Sequence, residues 1–286
     1  MRKKVITGVV LTLSALSLAW AAETMWIHRT DNTTLGLSIA NADSVSLNGS
    51  DVVFTAANGV TKSMPNTEIE KVTLGEASSI VEIKYNGSDA EIINPFAFEG
   101  VEVTKNGADV IVTSTSTSEI TYELTGTTTV GSFKVYSDKK IILNLNNASI
   151  TNDDGAAINI QTGKKCTVNL IGTSTLIDAA SYTTVSGEDQ KGCFFSEGQL
   201  VFTGSGTLNV TGNYKHGICS DDYIDIQSGA VNIIKAANDG IRTNDYFLMT
   251  GGALTTAATG DGIDGDAGYI QIDGGKILNY RIEEKE

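Results

Sequence analysis

After residue 24 apolar and polar residues alternate in short runs along most of the chain, punctuated by Gly, Asn and Asp. A period of two places successive side chains on opposite faces of a strand. Within residues 24–75, "MWIHRTDNTTLGLSI", "DSVSLNG", "SDVVFTAANG" and "IEKVTLGE" read as short strands joined by Asn-Gly and Gly turns, a small β module. Trp26 and His28 occur there without a partner at metal spacing and are assigned structural roles.

Beyond about residue 77 the alternation acquires a longer period, the mark of a repeat architecture. "HGICSDDYIDIQSGAVNI" (216–233), "DGIRTNDYFLMTGGALTT" (239–256) and "DGIDGDAGYIQIDGGKILN" (261–279) share three columns. These are the pairs Gly217-Ile218, Gly240-Ile241 and Gly262-Ile263, the tyrosines 223, 246 and 269, and the glycines 206, 229, 252 and 275, each 23 residues after the last. Earlier copies are looser. "KGCFFSEGQLVFTGSGTLNV" (191–210) keeps the glycine and puts Cys193 in the isoleucine column, and "DGAAINIQTGKKCTVNLIGTSTL" (154–176) precedes an insertion near Ser181–Gln190. "GSFKVYSDKKIILNLNNASI" (131–150) is the first regular copy. A period of about 20–25 with three short strands is too short for a propeller blade and lacks the Leu and Asn offsets of leucine-rich repeats. It predicts one coil of a parallel β-helix per copy, each stacked roughly 4.8 Å above the last. Ile224, Ile226, Val231 and Ile233 then point inward, and Ile270, Ile272 and Ile277 repeat that set.

Composition agrees with an all-β chain, with 30 Gly against 2 Pro and abundant Thr, Ser, Asn, Val and Ile. Arg2, Lys3 and Lys4 precede an apolar run from Val5 to Trp20, and "AWA" (19–21) supplies small residues before Ala22. Residues 1–21 thus read as a signal peptide, with the module over 22–76 and the β-helix over 77–286. Removing those 21 residues, with their three bases and no acid, takes the formal charge from −14 to −17. An exported protein, extracellular, on the cell surface or periplasmic, is expected, with no membrane insertion after cleavage. Its acidity argues against nucleic acid as a partner and suits one that holds divalent cations. Cys166, Cys193 and Cys219 are odd in number and sit in apolar strand patterns, so buried thiols are expected rather than a disulfide framework.

Stacking turns sequence period into vertical proximity. Asp239 and Asp261 fall in one column, and Asp221, Asn244 and Asp266 in a second, with Asp222 and Asp245 beside it. Carboxylates about 5 Å apart repel unless a cation intervenes, and calcium accepts six to eight such oxygens. The same residues also serve as ordinary turn formers, and Asp264 stacks near Arg242, where a plain salt bridge would satisfy it. Tyr223, Tyr246 and Tyr269 form an outward ladder, either purely structural or a platform for sugar rings, with outward Asn209 and Asn232 adding hydrogen bonds.

These columns, with "GTTTVGSFKVYSDKKIILNLNNASITNDDGAAINI" and "GSGTLNVTGNYKHGICSDDY", closely resemble a family of secreted bacterial carbohydrate-binding proteins across about residues 80–280. The resemblance implies a right-handed parallel β-helix similar to pectate lyases. It also implies binding of calcium and of polysaccharides, cellulose and acidic pectic sugars among them, without established catalysis. Carried over by position, it supports Asp239, Asn244, Asp245, Asp261, Asp264 and Asp266 as metal ligands. Residues 24–75 fall outside it. Similar proteins continue with more "GI" coils, whereas this chain stops at "RIEEKE", which leaves the last coil uncapped or marks the sequence as a fragment.

Enzymatic alternatives remain open. "KHG" (215–217), "SDD" (220–222) and "TND" (243–245) echo pectin-hydrolase motifs, but in reversed order, which makes His216 a corner residue rather than a catalytic one. A calcium-dependent lyase would need a base, and Lys215, Lys235 and Arg242 are the candidates. A structural surface protein or adhesin is a third class. The expected function is non-catalytic binding of polysaccharide with calcium assistance.

Overall fold

The computed structural model describes residues 23–266 and 268–281. The expected signal peptide over residues 1–21 and the segment 282–286 lie outside the described residues. The chain divides into two compact units, one taking residues up to Ser79 plus Ile93–Gly100, the other Ile80–Ile92 and residues from Val101 onward. Among the described residues the only helical turns are two three-residue 3-10 segments, Ile39–Asn41 and Asn66–Glu68, and no helix is long and apolar enough to cross a membrane.

In the first unit Thr24–Arg29 pairs antiparallel with both Thr33–Ser38 and Ile69–Gly75. A separate antiparallel meander runs through Ala42–Asn48, Asp51–Ala56 and Thr61–Pro65. Met25, Ile27, Leu37, Phe54, Met64 and Phe98 close a small core of their own. His28 bonds the hydroxyls of Thr73 and Thr34, and the Trp26 indole N–H donates to the carbonyl of Glu76.

The second unit is a parallel β-helix. In the upper coils each coil contributes one strand to each of three walls, whereas in a lower coil the single strand Ile141–Thr151 runs through two of them. The first wall stacks Ala108–Ser114, Gly131–Ser137, Ile158–Gln161, Gly192–Ser196, His216–Ser220, Ile241–Thr243 and Ile263–Asp264, all parallel. Val101–Asn106 folds back antiparallel on the lowest of them. The second wall stacks Leu200–Gly204, Ile224–Ile226, Tyr246–Met249 and Tyr269–Ile272, and the third stacks Thr207–Gly212, Ala230–Ala236, Ala253–Ala258 and Lys276–Arg281. Inward residues meet their copies one coil away, as in Ile224↔Phe247 and Val231↔Leu254, and all four are at most 1 % exposed. The glycine column is needed for close approach. Gly252 has φ +73° and a Cβ there would lie 2.6 Å from the carbonyl oxygen of Gly229.

Two expectations are corrected. Phe194, not Cys193, occupies the isoleucine column, since Phe194 pairs with Ile218. The aromatic ring, not the preceding glycine, sets the register there, because the inward position must fill the core. Ile270 and Ile272 take the inward register above Phe247 and Met249 but remain 47 % and 53 % exposed, because among the described residues no strand covers their far side. All three cysteines are free and buried.

Candidate functional site

His216, Asp239 and Asp261 each precede a glycine at the corner where the third wall turns into the first. The Ile218↔Ile241↔Ile263 register sets them one above another. His216 sits at this corner as a buried residue at the start of its strand. Asp239 is 5 % exposed, and its Oδ1 accepts the Asp261 N–H at 2.8 Å. Its Oδ2 lies 3.1 Å from His216 Nδ1, but off the hydrogen-bonding line, so this nitrogen, on a side chain only 8 % exposed, has no aligned partner. Burial lowers the His216 pKa more than the Asp239 charge raises it, with Arg242 and Lys215 lowering it further. That shift favours the neutral imidazole.

Carboxylate oxygens of Asp239, Asp261 and Asp264 lie within 4.8 Å of one another. Two oxygens on one calcium ion at 2.3–2.6 Å are at most about 5.2 Å apart, so this spacing fits a shared ion. Arg242 pairs with Asp264 and, at 3.0 Å, with Asp266, while no Lys or Arg pairs with Asp239 or Asp261 among the described residues.

The second expected column behaves differently. Asn244 Nδ2 donates to Asp221 Oδ1 at 3.2 Å. Asp221 also joins Asp189 and Glu197 in a second carboxylate trio, but Lys191 Nζ sits 3.0 Å from both Asp189 and Asp221. That ammonium already fills the role of a cation. Asp222 accepts from the Gln199 amide and, at 2.9 Å, from the N–H of Tyr223, and Asp245 meets it only through a backbone bond from its N–H to the Asp222 carbonyl. The ligand set expected from the columns thus divides. Asp239, Asp261 and Asp264 come together, Asp221 and Asn244 lie at the lysine-filled corner, Asp266 holds Arg242, and Asp222 and Asp245 join neither trio.

The tyrosine ladder exists, with ring centroids 4.6 Å apart for Tyr223–Tyr246 and 4.9 Å for Tyr246–Tyr269, at interplanar angles of 11° and 1°. Both faces of Tyr246 are covered by its own neighbours, so no sugar ring can stack on it. Tyr269, 54 % exposed, keeps one face without a ring partner among the described residues. Asn232 Nδ2 likewise donates to Asn209 Oδ1 at 3.1 Å, satisfying part of that column internally. Of the lysines, Lys235 Nζ contacts Asn213 Oδ1 at 3.4 Å and Lys215 Nζ lies 5.2 Å from the centre of the Tyr214 ring.

Lys191, Asp189 and Glu197 were missed because Asp189 lies in the insertion, outside the repeat, and Lys191 at its edge. His216 had a usable signal, since it holds the place before Gly-Ile that Asp239 and Asp261 hold in the next coils.

A family described as carbohydrate-binding domain-containing protein matches residues 106–283. A protein of Acetivibrio thermocellus with the same description is 28 % identical over 156 residues, 51 % of this chain, and the match spans only 54 % of that relative. A solved polysaccharide lyase-like protein from C. thermocellum, determined as a gadolinium derivative, superposes with a TM-score of 0.61 at 25 % identity, covering 70 % of this chain and 81 % of that one.

Proposed function

The chain belongs to this carbohydrate-binding domain family, and from that premise we propose that it is an exported, non-catalytic binder of acidic polysaccharide that uses calcium at Asp239, Asp261 and Asp264. The single observation carrying the metal is that trio, whose oxygens lie within 4.8 Å of one another with no Lys or Arg on Asp239 or Asp261 among the described residues. The unaligned His216 nitrogen lies beside it. Calcium would supply coordination positions for sugar oxygens beyond those the trio fills. Asp239 is held by the Asp261 N–H, and Asp264 is oriented by Arg242, so the chain's own contacts fix the ligands before any ion arrives.

The protein is negative overall, so an acidic polysaccharide would be repelled without a bridging cation. Binding of a uronate polymer should therefore fall sharply with a chelator, and Asp261→Asn combined with Asp264→Asn should reproduce that loss. Undiminished binding in the double variant would defeat the calcium assignment. Lys215 and Lys235 are engaged with Tyr214 and Asn213, and a binder should release no unsaturated uronate, read as ultraviolet absorbance, from a calcium-loaded incubation. A steady rise in that absorbance would make the protein a lyase.

A further inference from the structure

Between Thr173–Ile177 and Gly192–Ser196 the chain leaves the repeat, and the excursion is pinned at both ends. Buried Asp178 accepts the Tyr182 hydroxyl at 2.5 Å and the Asn213 N–H, while Asn213 Nδ2 donates to the Asp178 carbonyl at 2.9 Å. At the far end Glu188, its side chain 4 % exposed, accepts from Tyr136, from Lys134 at 2.9 Å, and from Asn159 and Gln190 at 2.9 Å each. A loop tied this way holds its shape without a ligand, which lowers the ordering cost of binding.

Under it lies a cavity of about 350 Å³, within the range of small-ligand sites of roughly 300–1,000 Å³. A cavity in the first unit, lined by Leu37, Asn58 and Phe98, is much smaller, at about 130 Å³. Tyr182 and Tyr214 line the larger one as a stacked pair, with centroids 4.3 Å apart at 26°. Thr183, Thr184 and Gln190 add hydroxyl and amide groups. Two carboxylates at the wall are already matched, Glu188 by Lys134 and Asp189 by Lys191. Lys215 differs. It is exposed, lies over Tyr214, and has no carboxylate partner among the described residues.

We propose that this cavity is a second sugar subsite, taking one uronate unit with its carboxylate on Lys215 Nζ and its ring and hydroxyls against the Tyr182–Tyr214 pair and the threonines. The proposal rests on the carbohydrate-binding reading but not on calcium. An unmatched ammonium beside aromatic surface, in a protein of otherwise negative charge, selects an anion locally. A lysine does so as a point charge, without the fixed fork of an arginine. Tyrosines supply a large apolar surface with polar edges, which suits a ring bearing both C–H faces and hydroxyls.

The test is calorimetric titration of the full chain, in chelator, with an oligouronate and with its carboxyl-reduced neutral counterpart. Wild type should favour the oligouronate by about tenfold or more. Lys215→Ala should remove that preference, and Tyr214→Ala should weaken both ligands. Asp261→Asn should leave chelator-resistant binding unchanged. An equal thermal midpoint for Lys215→Ala and wild type would show that the change is not unfolding. If Lys215→Ala keeps the full preference, or if wild type binds the oligouronate only with calcium present, the subsite is overturned while the calcium reading stands. If wild type binds neither ligand with or without calcium, both readings fall.

Discussion

The regular coils and the insertion of the same β-helix treat polar residues in opposite ways. In the regular coils some outward residues meet a copy of their own type one coil away. An Asn column satisfies itself, because an amide both donates and accepts, as between Asn232 and Asn209. A tyrosine column also satisfies itself, face on face. An aspartate column cannot, since a carboxylate only accepts. It must recruit a cation, and the two acidic corners solve this differently. One holds Lys191, while the other pairs Asp264 with Arg242 and, among the described residues, gives Asp239 and Asp261 no Lys or Arg. The insertion escapes the rule. It sets unlike residues side by side and encloses a cavity instead of a ladder. Concave chemistry arises where the repeat breaks, and flat columns mainly hold coils together.

The largest expected effect would break the contrast between the acidic corners. Calcium at a hundred times its Kd should stabilise wild type by about 2.7 kcal/mol, read in a thermal melt. Asp261→Asn with Asp264→Asn should abolish the gain. Next, Tyr246→Ala should cost about 1–3 kcal/mol, because it removes two stacked pairs of about 0.5–1.5 kcal/mol each. Glycan affinity should stay unchanged, and a loss of affinity at full stability would restore the ladder as a binding platform. Lys191→Met should cost about 1 kcal/mol in chelator and, by freeing its trio, create a calcium response that Asp221→Asn removes, checked by calorimetry.

The smallest effect concerns the insertion. Burial would raise the Glu188 pKa, but hydrogen bonds from Tyr136, Lys134 and Asn159 outweigh it and hold the group below the usual glutamate range. A depressed carboxyl pKa gives stability that is present above the unfolded value and lost as pH falls through the folded one. Melts of wild type and Glu188→Gln should therefore converge on acidification below about pH 4. A difference that persists or widens there would remove Glu188 as the acid-sensitive anchor.

The solenoid was legible because burial imposes its period directly. Gly252 and Gly275 recur where neighbouring coils leave no room for a Cβ, and Ile218 and Ile241 recur where the core must be filled. Register failed only at Cys193, just after the insertion, where the glycine was a weaker marker than Phe194. The site was legible as columns and not as partners. Asp239 above His216 follows from equal positions in successive coils, but Lys191 between Asp189 and Asp221 does not, because the insertion has no copy to align with.

The amino-acid sequence by itself determined the all-β class, the parallel stacking and which residues share a vertical line, since each follows from a recurring pattern of burial. Only the tertiary structure decided that the tyrosines cover one another, that one acidic corner already holds an ammonium, and that Lys215 stands over Tyr214 at a cavity. Those outcomes turn on distances of a few ångströms between side chains, and a repeat period fixes which residues are neighbours without fixing how their polar atoms meet.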